Sequence, residues 1–182
     1  LDSPFFFELG LVKYSRFWKS RCDERLKRKR GQMTQESVYI ACDHAGFDLK
    51  CKVLNHYKGR IQFEDLGCHS KERCDYPDYA EALARRVSES KDSRGILICG
   101  TGIGMSIAAN KVSGVRAALC ENPVSARLTK EHNGSNVLCL GSRIVGEALT
   151  YGIIDAWLNA QQSREARHQA RVEKINELDK RS

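Results

Sequence analysis

From Val38 onward, apolar and polar positions follow two alternating rhythms. Short apolar runs predict strands: VYIAC (38–42), IQFEDLG (61–67), GILIC (95–99), VRAALC (115–120) and NVLCLG (136–141). Between them the apolar residues recur at helical spacing. In GFDLKCKVLNHYK (46–58) Leu49, Val53, Leu54 and Tyr57 fall on one face. DYAEALARRVSES (78–90), after Pro77, is amphipathic. GMSIAANKV (104–112) opens a helix of small residues, and NPVSARLTKEH (122–132) offers Asn122 as N-cap with Pro123 in the first turn. GEALTYGIIDAWLNA (146–160) and SREARHQARVEKINELDKR (163–181) complete the set.

Strands that alternate with helices and are apolar throughout predict a parallel sheet covered on both faces. The fold class is therefore α/β, a small doubly wound sheet of five parallel strands. Ligands of such sheets bind beyond the carboxyl ends of the strands. That rule selects the segments just after Cys42, Leu66, Cys99, Cys120 and Leu140.

Charge changes the picture only at one end. The chain of 182 residues carries +7, and residues 1–32 hold nine Lys/Arg against four Asp/Glu. The basic excess is densest in RLKRKR, Arg25 to Arg30. Like charges in a block repel, so the favoured reading of 1–36 is a solvated extension outside the domain that spans 37–182. Met33 is the expected natural start of that domain. The arm lacks interleaved aromatics within the basic run and no RNA-reading motif follows. Neither nucleic acid nor a membrane is an expected partner. The eight cysteines form no CxxC pair, and several end apolar runs, as free thiols do in a reducing cytoplasm.

The segment CGTGIGMS carries the candidate chemistry. Gly100, Gly102 and Gly104 let main-chain N–H groups converge on an oxygen at the start of a helix. A dinucleotide fingerprint would need glycine at Met105, and a P-loop would need a lysine before Lys111. Cys99 stands at the strand end as a candidate base, although an inert buried thiol reads as well from this segment alone. Asp43 and His44 follow the first strand; Asp43 could instead only cap a helix. His132 and Asn133 close a helix before the fifth strand, where His132 could move protons or only cap. Arg167 and Arg171 are four apart, with His168 beside the first, and could clamp a phosphate or be a solvated face. Arg143 follows the fifth strand.

Taken together, CDHAGF, DYPDYA, GILICGTGIGMSIAANK, GVRA, EHNGSNVLCLGSR and ARHQARVEKI resemble the type B ribose-5-phosphate isomerases, within the wider family that includes the galactose-6-phosphate isomerase subunits. The likeness runs from Val38 to about Glu177 and leaves the first 32 residues without a counterpart. It implies a Rossmann-like α/β/α sandwich with a C-terminal helical extension, working without cofactor or metal. It implies a homodimer, with pairing into a tetramer left open, and an active site at the subunit interface. The resemblance assigns Cys99 as general base through a cis-enediolate. Thr101 and the amides of Gly100, Gly102, Ile103 and Gly104 hold the oxygens. His132 opens the sugar ring, supported by Asp43 and Asn133. His44, Arg143, Arg167, His168 and Arg171 bind phosphate and hydroxyls, and Tyr76 lines the sugar. Because thiol, His132 and arginines occur in one chain, a self-sufficient ribose enzyme is expected. The alternatives are an isomerase of allose or galactose 6-phosphate, and a non-catalytic sugar-phosphate binder.

Overall fold

Alternation within the apolar runs decides which side of the sheet each residue serves. In a strand, successive side chains point to opposite faces. Ile96 and Ile98 therefore join one buried cluster, while Leu97 and Cys99 join the other. The structure, a computed structural model, describes residues 38–179. The expectations for residues 1–36 lie outside the described residues.

Five parallel strands form one sheet: β1 (Val38–Cys42), β2 (Phe63–Asp65), β3 (Arg94–Cys99), β4 (Ala117–Leu119) and β5 (Val137–Gly141). Their order is β2-β1-β3-β5-β4. Six helices connect and follow them: α1 (Phe47–His56), α2 (Tyr76–Ser88), α3 (Ile103–Ala109), α4 (Pro123–Asn133), α5 (Glu147–Asn159) and α6 (Ala166–Leu178). Leu49 and Val53 of α1, Ala126 of α4 and Ile153, Ile154 and Trp157 of α5 cover one face. Leu83 and Val87 of α2 and Met105 and Ala109 of α3 cover the other. Crossovers toward β2 use the first face, and crossovers toward β4 use the second, as a uniform right-handed connection requires. The α/β/α sandwich predicted from the sequence is present.

Several expected elements are shorter. The second strand is confined to 63–65 because the Ile61 amide still donates to the Tyr57 carbonyl. α3 ends at Ala109, where the Asn110 side chain bonds Ser106 and both backbone groups of Ala117. α6 begins at Ala166, since the Ser163 amide is spent on the Glu131 carbonyl and the Glu165 amide on the Ser163 hydroxyl.

Two features hold the carboxyl edge in place. Lys50, 1 % exposed, donates to Asp65 Oδ1 at 2.6 Å and to the Cys68 carbonyl at 2.7 Å, which ties α1 to the chain after β2. Removing one partner of such a buried pair would strand the other charge. Gly46 lies against β3, and a Cβ there would collide with the Ile98 carbonyl oxygen. A main-chain atom cannot step aside as a flexible side chain can. Gly46→Ala is therefore expected to lower stability by about 1–3 kcal/mol, read as a lower urea midpoint. Gly152→Ala, inside α5 with only the Pro123 side chain 3.6 Å from the added carbon, should not lower the midpoint. Equal midpoints for both variants would refute the close approach.

Candidate active site

The loops after β1, β3 and β5 meet at the carboxyl edge, where the sheet order reverses direction around β1 and β3. The Asp43 amide donates to the Ile98 carbonyl at 3.2 Å. The Ser142 amide donates to the Cys99 carbonyl at 2.8 Å and the Arg143 amide to Gly100 at 3.0 Å. The Ser142 hydroxyl reaches the Ala45 carbonyl at 2.8 Å and closes the ring of loops. Ser142 escaped the sequence reading, although it occupies the edge that the ligand rule selects.

Inside that ring sits Cys99, 4 % exposed. Its Sγ accepts from the Gly102 amide at 3.0 Å. Gly102 has φ +77°, and a Cβ there would lie 2.9 Å from the Leu140 carbonyl carbon. Only glycine takes this turn without strain. Gly141 is equally constrained, because its Cβ would come 2.6 Å from the Thr101 carbonyl oxygen. Around the buried thiol, Thr101 is exposed and Ile103 is half exposed. The Arg143 guanidinium lies over Gly100, 3.4 Å from where a Cβ would be. The Tyr76 ring covers Gly104 in the same way, at 2.6 Å.

Asp43 and His44 stand beside this loop. Asp43 Oδ1 accepts from the Gly46 amide at 3.0 Å, which closes the turn before α1; the helix's N-cap is Gly46 and not Asp43. His44 is held through Nδ1, which lies 3.2 Å from the Cys74 carbonyl oxygen and 3.3 Å from its nitrogen. This link spans 30 residues and had no local signal in the sequence.

The remaining candidates are elsewhere. α4 runs against the strands, so its last turn, with His132 and Asn133, lies below the amino end of β5. Cys99 pairs with Gly141 at the opposite end of that strand. Four strand steps separate the two levels, about 13 Å along the sheet. The connectivity of a parallel sheet thus puts His132, Arg167 and Arg171 at the opposite edge of the same chain from Cys99, whereas Arg143 stays beside the thiol.

At the lower edge, His132 stacks on His168 of α6, with ring centroids 4.1 Å apart and planes 3° from parallel. His168 is 5 % exposed, and neither of its ring nitrogens has a hydrogen-bond partner among the described residues. It faces α4 together with Val172, one helical turn on, so it supports His132 and does not reach outward. Arg167 and Arg171 are exposed on the same helix; Arg167 pairs with Glu165 at 2.7 Å. Asn133 is exposed and lines a cleft of about 780 Å³ between the end of α4, β4 and α6.

The sequence pattern of the family described as Ribose/Galactose Isomerase matches residues 38–175. Ribose-5-phosphate isomerase B of Escherichia coli is 48% identical over 147 residues, which are 80% of this chain and 98% of that one. The solved ribose-5-phosphate isomerase B of Clostridium thermocellum superposes with a TM-score of 0.76 at 46% identity, covering 80% of this chain and 98% of its own. The type B ribose 5-phosphate isomerase of Trypanosoma brucei gives 0.75 at 43%, with coverage of 80% and 99%.

The stacked pair has a consequence for pH. Burial first, then the neighbouring charges of His132, Arg167 and Arg171, lower the proton affinity of His168 below its ordinary value of 6.5, and Glu165 opposes them only in part. The unfolded chain therefore binds this proton before the folded one does. The contribution to stability is present above about pH 6.5 and is lost as pH falls through the folded value. His168→Phe keeps a flat ring and removes the titration. Its urea midpoint should fall less steeply between pH 7.5 and pH 5 than that of the parent. Identical slopes would mean that His168 is not held neutral by burial.

Proposed function

The chain belongs to the Ribose/Galactose Isomerase family, and from that membership we propose that it interconverts ribose 5-phosphate and ribulose 5-phosphate with Cys99 as the base. The observation that carries this reading is the thiol enclosed at the head of the glycine turn, with a main-chain N–H on its sulfur. In the open-chain aldose, Cys99 takes the C2 proton. The electron pair moves into the C1–C2 bond, and the carbonyl oxygen at C1 becomes an enediolate oxygen. The C2 hydroxyl proton passes to the C1 oxygen, and Cys99 returns its proton to C1 as the C2 oxygen becomes the ketone. A carbon acid of this kind loses its proton only when the developing oxyanion meets fixed donors. The amides of the Gly100 to Gly104 turn other than that of Gly102, which is on the sulfur, and the Thr101 hydroxyl are the proposed donors. Asp43, His44 and Tyr76 hold the sugar, and Arg143 balances the charge above Gly100.

The other half of the site comes from a second copy. Tyr76, Ile103, Ile107 and Ile144 are large apolar residues left 40–58 % exposed at or near the carboxyl edge. Such a cluster is what a partner covers. A two-fold pair would bring the lower edge of one chain to the upper edge of the other and make two equal sites. His132 of the second chain then protonates the ring oxygen to open the furanose, steadied by Asn133 and by the stacked His168. Arg167 and Arg171 of that chain take the phosphate, which fixes C1 and C2 beside the thiol. The seven described cysteines are all free thiols, which suits a reducing compartment such as the cytoplasm.

Two experiments test these assignments. Cys99→Ala and His132→Asn should each lose about 10²–10⁴-fold in turnover of ribose 5-phosphate. Unfolded and refolded together, they should regain roughly a quarter of the parent activity, because half the random pairs are mixed and each has one intact site of two. No recovery would place thiol and imidazole in one chain's site. Secondly, ribulose 5-phosphate has no free C5 hydroxyl and cannot close to a furanose. His132→Asn should therefore leave solvent deuterium exchange at its C1 far less affected than turnover of ribose 5-phosphate, followed by proton NMR in heavy water. Equal loss in both would remove ring opening from His132.

A further inference from the structure

The thiols at the carboxyl edge extend beyond Cys99. Cys42 Sγ lies 3.9 Å from Cys68 Sγ. The Cys74 thiol, six residues on from Cys68, interacts electrostatically with it, and its Sγ is 4.0 Å from His44 Nδ1. Three thiols thus form a chain that ends on a histidine of the proposed sugar site. Their surroundings differ. Cys42 is fully buried at the end of β1, with its amide and carbonyl bonded to Gly67 and Cys68. Burial pushes the Cys42 thiol far up, so it stays protonated and poorly nucleophilic; burial raises the Cys74 thiol too, but less. Cys68 is 4 % exposed, and its carbonyl holds the Lys50 ammonium, a fixed positive charge beside the cluster. Cys74 is the member that is partly open to solvent. Residues 69–73 between Cys68 and Cys74 are exposed and belong to no helix or strand, so this pair can close without disturbing the sheet.

We propose that Cys68 and Cys74 are a reversible oxidative modification site, closed to a disulfide by a hydroperoxide, and that closure weakens substrate binding through His44. The Cys74 sulfur attacks the peroxide; an S–O bond forms, the O–O bond breaks, and the alcohol or water leaves with the thiol proton. The Cys68 sulfur then attacks Cys74; the S–S bond forms, the S–O bond breaks, and water leaves with the second thiol proton. Two thiols lose two electrons, and the peroxide gains them. Turning the Cys74 side chain to Cys68 takes it away from His44. Because that imidazole touches both backbone groups of Cys74 as well, the ring shifts with it. The effect on binding rests on the assignment of His44 to the substrate; the bond itself does not.

The test therefore has two arms. In the full chain carrying Cys99→Ala, hydrogen peroxide followed by alkylation and trypsin should yield peptides 61–71 and 74–85 joined by a bond that dithiothreitol splits. Oxidation of Cys74 with no joined pair, or Cys68 joined to peptide 31–50 through Cys42, overturns the site. In the otherwise unaltered enzyme, the same treatment should raise KM for ribose 5-phosphate about tenfold, the loss of one hydrogen bond to a charged ligand. Dithiothreitol should restore it, and Cys68→Ser should hold KM flat. Oxidation of Cys99 would instead lower kcat. A joined pair with unchanged KM overturns the coupling to His44 and leaves the isomerase reading untouched.

Discussion

The close approach of the Cys99–Gly104 turn to the end of β5 is the constraint on which the site depends. Gly141 and Gly102 lack side chains at the two points of contact, and any Cβ there would meet main-chain atoms at 2.6–2.9 Å. The Ser142 and Arg143 amides then fasten the turn from the far side. Within the turn held this way, the Gly102 amide donates to the sulfur and the Ile103 amide to the Thr101 hydroxyl. α3 has only seven residues, so its macrodipole adds little. In the proposed mechanism the local amides do the electrostatic work. They are fixed before any substrate arrives, which is the condition under which donors stabilise a developing oxyanion most effectively.

The same sheet geometry that builds this half of the site excludes the other half. In a parallel sheet every connecting helix returns to the amino edge, so a residue at a helix end that precedes a strand cannot sit beside a residue that follows one. His132 belongs to the first kind and Cys99 to the second. Stacking on His168 then anchors the His132 ring on its own edge. The exposed apolar side chains near the thiol fit the proposed association, because an edge that receives a partner's imidazole would not be sealed by its own chain.

Most of the fold was legible in the residues because periodicity is a local property. The continuous apolar runs marked strands buried on both faces, and Asn122 and Pro123 marked the start of α4, where the Asn122 side chain does accept from the Ser125 amide. The glycine turn was legible for the same reason: CGTGIG states its own backbone needs. His168 was read beside Arg167 and Arg171 as part of one polar group, yet a step of about 100° per residue turns it to the buried side with Val172. The separation of His132 from Cys99 follows from connectivity and could have been read from the order of elements. The clasp between His44 and Cys74 could not, since it joins two loops through a backbone contact that leaves no pattern in either.

The proposed division of acid and base between chains also fits the chemistry each would perform. The thiol needs a dry pocket walled by main chain, because a carbanion-forming step is favoured when water is excluded and donors are fixed. The imidazole must meet a ring oxygen as the sugar enters, which favours a half-exposed surface. One edge of a small sheet cannot offer both environments around the same two carbons without opening the first to water. A second copy resolves the conflict, since its approach covers the exposed apolar residues and delivers the proton donor in one movement. On the proposed assignment the isolated chain holds the base and the oxyanion donors ready but lacks the group that opens the ring, so association would be part of the active site's construction and not a later addition to it.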